Sequence, residues 1–108
     1  MISFNYITKL FSHDLEGKFC IEIEFSVKEC PEYQFCWMGK MPDDDNEKKD
    51  IFWFGLTPDN SQGYGYDNFD DFSSAPVFKG KSLKEIWNRI EILSIDGCDP
   101  QDRILIYI

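Results

Sequence analysis

The residues of this chain best suited to chemistry are carboxylates and tyrosines gathered in its middle third. Residues 43–71 hold nine acidic and two basic residues, so they carry seven of the nine excess negative charges of the chain. Crowded carboxylates repel one another, and a basic partner that relieves this repulsion gains affinity and a faster encounter at low salt. The sequence therefore predicts a protein-binding surface formed by Asp43, Asp44, Asp45, Asp59, Tyr64, Tyr66, Asp67, Phe69, Asp70 and Asp71.

The aromatic residues of this segment stand among glycines and aspartates in residues 63–71. A glycine-punctuated acidic loop cannot bury every ring, and tyrosine is enriched at interfaces because its ring gives contact area at low entropic cost. We expect the aromatic residues to anchor a contact whose ion pairs come from Asp67, Asp70 and Asp71. The run Asp43–Asp45 is expected to steer the partner's approach. Its alternative interpretation is a solvated loop that keeps a small protein soluble.

Patterns typical of catalysis are weak. The one imidazole, His13, falls in a predicted turn, away from any nucleophile that it would have to activate. Gly63-x-Gly65 lacks the third glycine of a dinucleotide cradle. Glu22 and Glu24 share one face of a predicted strand and could form an acid and base pair, but charged residues are also usual on a solvated face. We therefore predict no catalytic residues and no cofactor.

Metal-binding and redox patterns are equally weak. Residues 59–63 suggest a calcium loop, but the alternating ligands and the closing glutamate of an EF-hand are missing. We predict no metal site, with low-affinity divalent binding by the aspartates as the alternative. The four cysteines show no Cys-x-x-Cys pair, which favours reduced thiols in a cytosolic chain. A disulfide between Cys30 and Cys36 is the alternative.

The elements that must position these residues are mainly strands. Alternating or continuous apolar residues predict six of them: Ile2–Thr8, Lys18–Lys28, Tyr33–Met38, Ile51–Leu56, Ile90–Ile95 and Ile104–Ile108. The first two are expected to form a hairpin, and the third and fourth to lie centrally. The last is apolar throughout, which predicts burial on both faces and a C-terminus inside the sheet. Because Ile51–Leu56 separates the two acidic stretches, they are expected at opposite ends of that strand.

One helix is predicted from about Ser82. Ser82 and Glu85 have the spacing of a capping box, in which each side chain satisfies a backbone N–H at the helix start. An apolar stripe at helical spacing follows, formed by Leu83, Ile86, Trp87 and Ile90. The predicted fold class is α+β: a mainly antiparallel sheet of five to six strands with this helix packed on one face.

Size and charge narrow the possible functions. A chain of 108 residues with 43% hydrophobic residues supports a single globular domain, residues 1–108, with one core. Its net charge of −9 disfavours nucleic acid and anionic membranes as direct partners. The first residues show no basic region followed by an unbroken apolar segment, so we expect no export signal and a cytoplasmic location.

The second half of the chain also carries a family resemblance. From Gly55-Leu56-Thr57-Pro58-Asp59, through Tyr66-Asp67-x-Phe69, to Phe78-x-Gly80-Lys81-Ser82-Leu83-Lys84-Glu85-Ile86-Trp87, it resembles small acidic bacterial immunity proteins of polymorphic or contact-dependent toxin systems. The resemblance is one of size, charge and sequence style. It implies a cytosolic protein that binds a toxin domain, often a basic nuclease, and covers its active site or substrate groove.

Three functional hypotheses follow. The first is a non-enzymatic immunity protein or inhibitor with a basic protein partner, for which an exposed acidic surface and salt-dependent association are expected. The second is a small enzyme or ligand-binding domain with an unrecognised pocket, for which a concave site with convergent, perturbed carboxylates is expected. The third is a housekeeping oligomer whose acidic loops are inert.

Overall fold

A computed structural model describes residues 2–12, 20–43, 46–59 and 61–107. In these residues three short α-helices, five strands and one 3₁₀ turn follow one another along the chain. They are α1 (Phe4–Phe11), β1 (Ile21–Val27), β2 (Cys36–Asp43), β3 (Asn46–Gly55), β4 (Gly63–Tyr66), α2 (Phe69–Ser74), the 3₁₀ helix Trp87–Arg89, β5 (Ile90–Ile95) and α3 (Pro100–Tyr107).

The strands form one antiparallel sheet in the order β4-β3-β2-β1-β5. This confirms the α+β class and the antiparallel sheet of five strands. It also confirms that the strands around residues 36–38 and 51–55 are internal, since β2 and β3 each have a neighbour on both sides. The two edges of the sheet are β4 and β5.

β1 shows why the sheet has two different faces. Ile21, Ile23 and Phe25 are fully buried, whereas Glu22 is exposed and Glu24 is half-buried. Successive side chains of a strand point to opposite faces, so this alternation buries one face of the sheet and leaves the other toward solvent. The predicted alternation in this strand is confirmed, although the strand begins at Ile21 rather than Lys18.

The buried face carries a dense aromatic core. Phe72 of α2 stacks on Phe54 of β3 with ring centroids 4.2 Å apart and an interplanar angle of 13°. Phe11 of α1 meets Phe52 at 6.0 Å and Phe72 at 5.4 Å. Offset and edge-to-face ring contacts of this kind add to the free energy gained from apolar burial. We call this side of the sheet the covered face.

The charged side chain of Lys40 also lies in this core. Lys40 is 4% exposed, and its Nζ donates a hydrogen bond to the carbonyl oxygen of Phe11 at 2.9 Å and pairs with Asp50 Oδ2 at 3.2 Å. Its ammonium also lies 5.4 Å from the ring centre of Phe52. These contacts compensate for the removal of a charge from water and tie α1 to the sheet.

The predicted first strand, Ile2–Thr8, is wrong, and with it the opening hairpin. This segment is α1: Ser3 caps it by accepting a hydrogen bond from the Tyr6 amide at 3.4 Å, and Ile7, Leu10 and Phe11 bury its inner side. Apolar residues at every second position suggested a strand. The stronger pattern is the helical spacing of the three buried residues, which extends beyond the predicted segment. His13 lies outside the described residues.

The predicted last strand, Ile104–Ile108, is also wrong, as is the expected C-terminus inside the sheet. Described residues of this segment belong to α3, and Ile104 is buried against the core. Asp99 Oδ1 accepts hydrogen bonds from the amides of Gln101 and Asp102 at 3.0 and 3.3 Å, and Pro100 is the first helical residue. An acidic cap followed by proline is a strong helix start, and it decides the structure of the apolar run behind it.

The helix predicted from Ser82 does not form. The capping box does: Ser82 Oγ accepts from the Glu85 amide at 3.2 Å, and Glu85 Oε1 accepts from the Ser82 amide at 3.1 Å, which lowers the pKa of Glu85. The box opens a turn that leads into the 3₁₀ helix. Ile90, the last residue of the expected stripe, pairs with Val27 as the first residue of β5. A longer helix would have to include Ile90 and the residues after it, but these residues form β5 instead.

Two other boundaries differ from expectation. β2 begins at Cys36 rather than Tyr33, because Phe35 has a left-handed backbone with φ 54° that ends the pairing there. β3 extends back to Asn46 instead of beginning at Ile51. The predicted strand Ile90–Ile95 is confirmed.

All four cysteines are free thiols, so the alternative Cys30–Cys36 disulfide is not present. No helix in the described part of the chain is long and apolar enough to cross a membrane.

Candidate functional site

Sequence predicted a loop for the acidic stretch after β3. The structure instead has an edge strand followed by a helix there. β4 pairs with β3, and two residues, Asp67 and Asn68, separate Tyr66 from the start of α2 at Phe69. Asn68 connects them: its Oδ1 accepts from the Asp71 amide at 2.8 Å, and its Nδ2 donates to Asp71 Oδ2 at 3.0 Å. Carboxylates in the first turn of a helix interact favourably with its dipole. Stabilisation of the start of α2 therefore explains why some of the acidic residues, Asp70 and Asp71, stand here.

Three aspartates remain exposed here: Asp67, Asp70 and Asp71. The ion pairs shown among the described residues join Lys40 to Asp50, Lys79 to Glu32 and Arg103 to Asp96. None of these pairs involves the three aspartates, so lysines and arginines of the described chain do not neutralise them. We call Asp67, Asp70 and Asp71 with Tyr64 the acidic surface.

The aromatic residues of this segment differ in exposure. Tyr64 is 38% exposed and lies at the edge of the sheet. Tyr66 packs on Phe54 and Phe72 with centroid distances of 6.4 Å, and burial raises the pKa of its hydroxyl. Phe69 contacts Phe4 and Phe11 at 5.9 and 5.6 Å. Tyr64 therefore has an accessible ring, whereas Tyr66 and Phe69 mainly join the acidic surface to the core.

The two predicted acidic stretches divide differently from the expectation. β4 runs antiparallel to β3 with Tyr66 opposite Phe52, so Asp67 returns to the end of the sheet at which Asp50 lies opposite Pro42. Asp43 is the last residue of β2 at the same end. Its side chain is not described, and Asp44 and Asp45 lie outside the described residues.

Asp59 lies at the opposite end of β3 from the acidic surface. Its Oδ1 accepts hydrogen bonds from the Ser61 amide at 3.1 Å and the Ser61 hydroxyl at 2.8 Å, which lower the pKa of its carboxyl group. This is the arrangement of an aspartate that forms a tight turn. Among the described residues, no group of three or more His, Cys, Asp or Glu side chains is placed to hold a metal ion.

A second exposed surface was missed by the sequence analysis. It lies on the side of the sheet opposite the covered face, where register places Trp37 beside Glu24, Trp53 beside Gly39 and Met41 beside Ile51. Directly paired residues of antiparallel strands share one face. Trp37 and Met41 are 38% and 39% exposed. We call the surface formed by Glu22, Glu24, Trp37, Met41, Ile51 and Trp53 the tryptophan face.

Glycines shape this face. A Cβ atom at Gly39 would lie 2.1 Å from the carbonyl oxygen of Ile21 and 2.8 Å from Trp53 Cζ2, so the indole of Trp53 lies directly on this glycine. A Cβ at Gly55 would be 3.8 Å from the Trp53 ring and 3.9 Å from Trp37 Cβ. An aromatic ring over a cross-strand glycine restores the contacts that the missing side chain would supply. Trp53 is therefore partly a structural residue.

Its indole Nε1 is buried without a hydrogen-bond partner in the described part of the chain. A buried unpaired donor costs on the order of 1–3 kcal/mol. Trp37, at the neighbouring position, leaves more of its ring accessible. The signal that could have found this face is the placement of Trp37, Gly39 and Met41 at every second position, which puts them on one side of a strand. Sequence alone predicted only that the strand Ile51–Leu56 lies centrally in the sheet.

Within the described part of the chain, the carboxyl group with a pKa of about 2 does not line the groove beside β5. A groove of about 440 Å³ between β5 and α3 has one carboxylate in its lining, which consists of Ile2, Lys28, Ile90, Glu91, Ile92, Pro100 and Gln101. That carboxyl group belongs to Glu32, and a hydrogen bond from Lys79, elsewhere in the fold, lowers its pKa.

The thiols of Cys30 and Cys36 are held in their less reactive, protonated form. A hydrogen bond from Cys30 Sγ to Glu32 at 3.1 Å raises the pKa of Cys30, and burial raises the pKa of Cys36 to about 11. The thiolate is the nucleophilic form of cysteine, so both shifts suppress reactivity.

Comparison of the chain with protein-family models, curated proteins and solved structures gave no match, and its function is therefore inferred from the residues described above.

Proposed function

We propose that this protein is a non-enzymatic inhibitor, of the immunity-protein kind, that neutralises a basic toxin domain made in the same cell. The observation that carries the proposal is the convergence of Asp67, Asp70 and Asp71 at one edge of the sheet, exposed and outside the ion pairs shown among the described residues. An acidic surface that the protein's own described lysines and arginines leave unpaired is suited to a cationic partner.

A nuclease domain fits this chemistry best. Such a domain needs lysine and arginine side chains in its substrate groove to bind phosphates, and an acidic protein surface competes for the same charges. In the proposal, Asp67, Asp70 and Asp71 pair with the basic groove and Tyr64 anchors the contact. Asp43–Asp45 steer the partner's approach. Asp59 is left out because it faces another end and forms its own turn.

The rigid setting of the acidic surface supports this role. Asn68 holds the start of α2, while Tyr66 and Phe69 fix β4 and α2 to the core. An interface whose charged groups are already in position loses less entropy on binding. The four free thiols fit a reducing compartment, and we assign the protein to the cytoplasm.

The test uses the basic protein encoded in the neighbouring reading frame as the partner. The double variant Asp67→Asn, Asp70→Asn removes two charges without touching the capping residues. We expect it to weaken binding at least tenfold in titration calorimetry at about 50 mM salt, because charge-assisted contacts contribute roughly 1.5–3 kcal/mol each. The difference should shrink at high salt, since screening shortens the range of the attraction.

The matched control is the double variant Glu29→Gln, Asp102→Asn, which removes the same charge from exposed positions elsewhere. It should change affinity less than threefold. Unchanged affinity of the first variant, or an equal loss in the control, would remove the acidic surface from the proposed function. Inhibition of the partner's catalytic activity, measured with the same variants, should follow the binding affinities.

A further inference from the structure

The tryptophan face is not covered by any helix of the described chain. α1 and α2 pack on the covered face through Phe11 and Phe72, and α3 lies against β5 and α1. We propose that the tryptophan face is a second docking surface, whose occupant is an apolar protein segment that carries arginine. This inference goes beyond the proposed function and does not depend on it.

Phe35 gives a first argument. It directly precedes β2, is 70% exposed, and has a left-handed backbone with φ 54°. Its amide donates to Ser26 Oγ at 3.0 Å, which fixes this conformation beside the tryptophan face. The left-handed region is unfavourable for a bulky side chain, and folding gains nothing from a ring in water. Strained, exposed aromatic residues are typical of binding sites.

Charge decides what the occupant carries. Glu24 is the direct cross-strand neighbour of Trp37, and Glu22 lies two residues along the same strand. The strand positions of this face whose side chains the structure describes include no lysine or arginine. An arginine can stack its planar guanidinium on an indole while it donates to a carboxylate beside the ring. A lysine ammonium is more strongly hydrated and less suited to this combination.

A second copy of this chain is a poorer occupant. A two-fold dimer through this face would place the same surface against itself. Glu22 and Glu24 would then approach the glutamates of the other copy, and each copy has a net charge of −9. Like charges brought together in an interface are unfavourable. The partner must therefore supply the positive charge.

Tyr64 of the acidic surface and the tryptophan face lie on opposite sides of the sheet. Tyr64 pairs with Phe54 and thus points to the covered side, whereas Gly65 pairs with Trp53 on the tryptophan face. Variants at Tyr64 and at Trp37 therefore change opposite sides of the sheet.

The experiment uses a synthetic peptide, acetyl-Arg-Leu-Leu-Arg-Leu-Leu-Arg-amide, with lysine and glutamate versions as comparators. Binding to the full chain is measured by titration calorimetry. We expect the arginine peptide to bind at least threefold more tightly than the lysine peptide and the glutamate peptide not to bind. The variant Trp37→Ala should weaken binding of the arginine peptide about tenfold, and Glu22→Gln with Glu24→Gln about fivefold.

Two further variants keep the inference falsifiable. Phe35→Asn, which suits a left-handed backbone, should weaken binding at least threefold without lowering the urea midpoint. The double variant Asp67→Asn, Asp70→Asn should change the affinity for the arginine peptide less than twofold. The inference is overturned if the glutamate peptide binds as well, if the acidic-surface variant loses as much as Trp37→Ala, or if millimolar arginine peptide shows no saturation. A dimer in sedimentation analysis that Trp37→Ala dissociates would overturn it in favour of a second copy.

Discussion

The two faces of this sheet both carry aromatic side chains but use them differently. On the covered face Phe54 and Phe72 are almost completely buried and stacked, whereas Trp37 on the tryptophan face and Phe35 beside it remain accessible. Burial in a core explains the first group by its contribution to folding. It does not explain the second, whose members expose much of their surface and, at Phe35, hold a strained backbone. The contrast separates residues that fold the chain from residues that are available to a partner.

The largest expected effect breaks the covered face. Phe72→Ala should lower the free energy of unfolding by about 3–5 kcal/mol, because it removes a fully buried ring and leaves a cavity between α2 and the sheet. The matched change Trp37→Ala should cost about 1 kcal/mol or less, since it removes a half-accessible ring and one cross-strand contact. Urea denaturation of both variants measures the difference. Equal losses would show that the tryptophan face is as necessary for folding as the core.

A smaller effect is expected from the glycines under the tryptophan face. Gly39→Ala should cost about 3 kcal/mol, because the new Cβ meets the backbone of β1 and the indole of Trp53, and neither can move without disturbing the sheet. Gly65→Ala is the matched control on the edge strand, where the nearest atom is Ile51 Cγ2 at 3.4 Å. It should cost less than about 1 kcal/mol. Similar urea midpoints for the two variants would contradict this account of Trp53 and Gly39.

These contrasts also show what the sequence could supply. Strong period-2 alternation predicted β1, and the β-branched run predicted β5, because both patterns depend on local side-chain order. The terminal segments were misread because caps at Ser3 and Asp99 outweigh local strand preference. The helix at Ser82 failed for the opposite reason: its cap formed, but long-range pairing of Ile90 with Val27 ended it.

The candidate surfaces were predictable to a different degree. Charge counting located Asp67, Asp70 and Asp71, because charge is a property of composition. It could not separate Asp59 from them, since only the turn at Ser61 and the direction of β4 reveal its different place. The tryptophan face depends on register across β1, β2 and β3. Cross-strand neighbours such as Glu24 and Trp37 cannot be read from one strand at a time.

The smallest expected effect concerns a carboxylate that, unlike Glu22 and Glu24, is shown paired within the fold. Glu32 accepts a hydrogen bond from Lys79, and this lowers the pKa of its carboxyl group from 4.5 to about 2. A lowered folded-state pKa means that the pair stabilises the fold above pH 4.5 and that this contribution is lost as the pH falls toward 2. Glu32→Gln should therefore reduce stability at pH 6 more than at pH 2.

The reduction should be small, because both side chains are more than half exposed and salt screens them. Lys79→Met removes the same pair from its other side and should flatten the pH dependence in the same window. Thermal unfolding at several pH values, at about 50 and 500 mM salt, measures both. If each variant loses as much thermal stability at pH 2 as at pH 6, the ion pair of Glu32 and Lys79 does not stabilise the contact between the β1–β2 connection and the segment that contains Lys79. Pairing with Lys79 would then give Glu32 no larger contribution to the stability of the fold than Glu22 and Glu24 make.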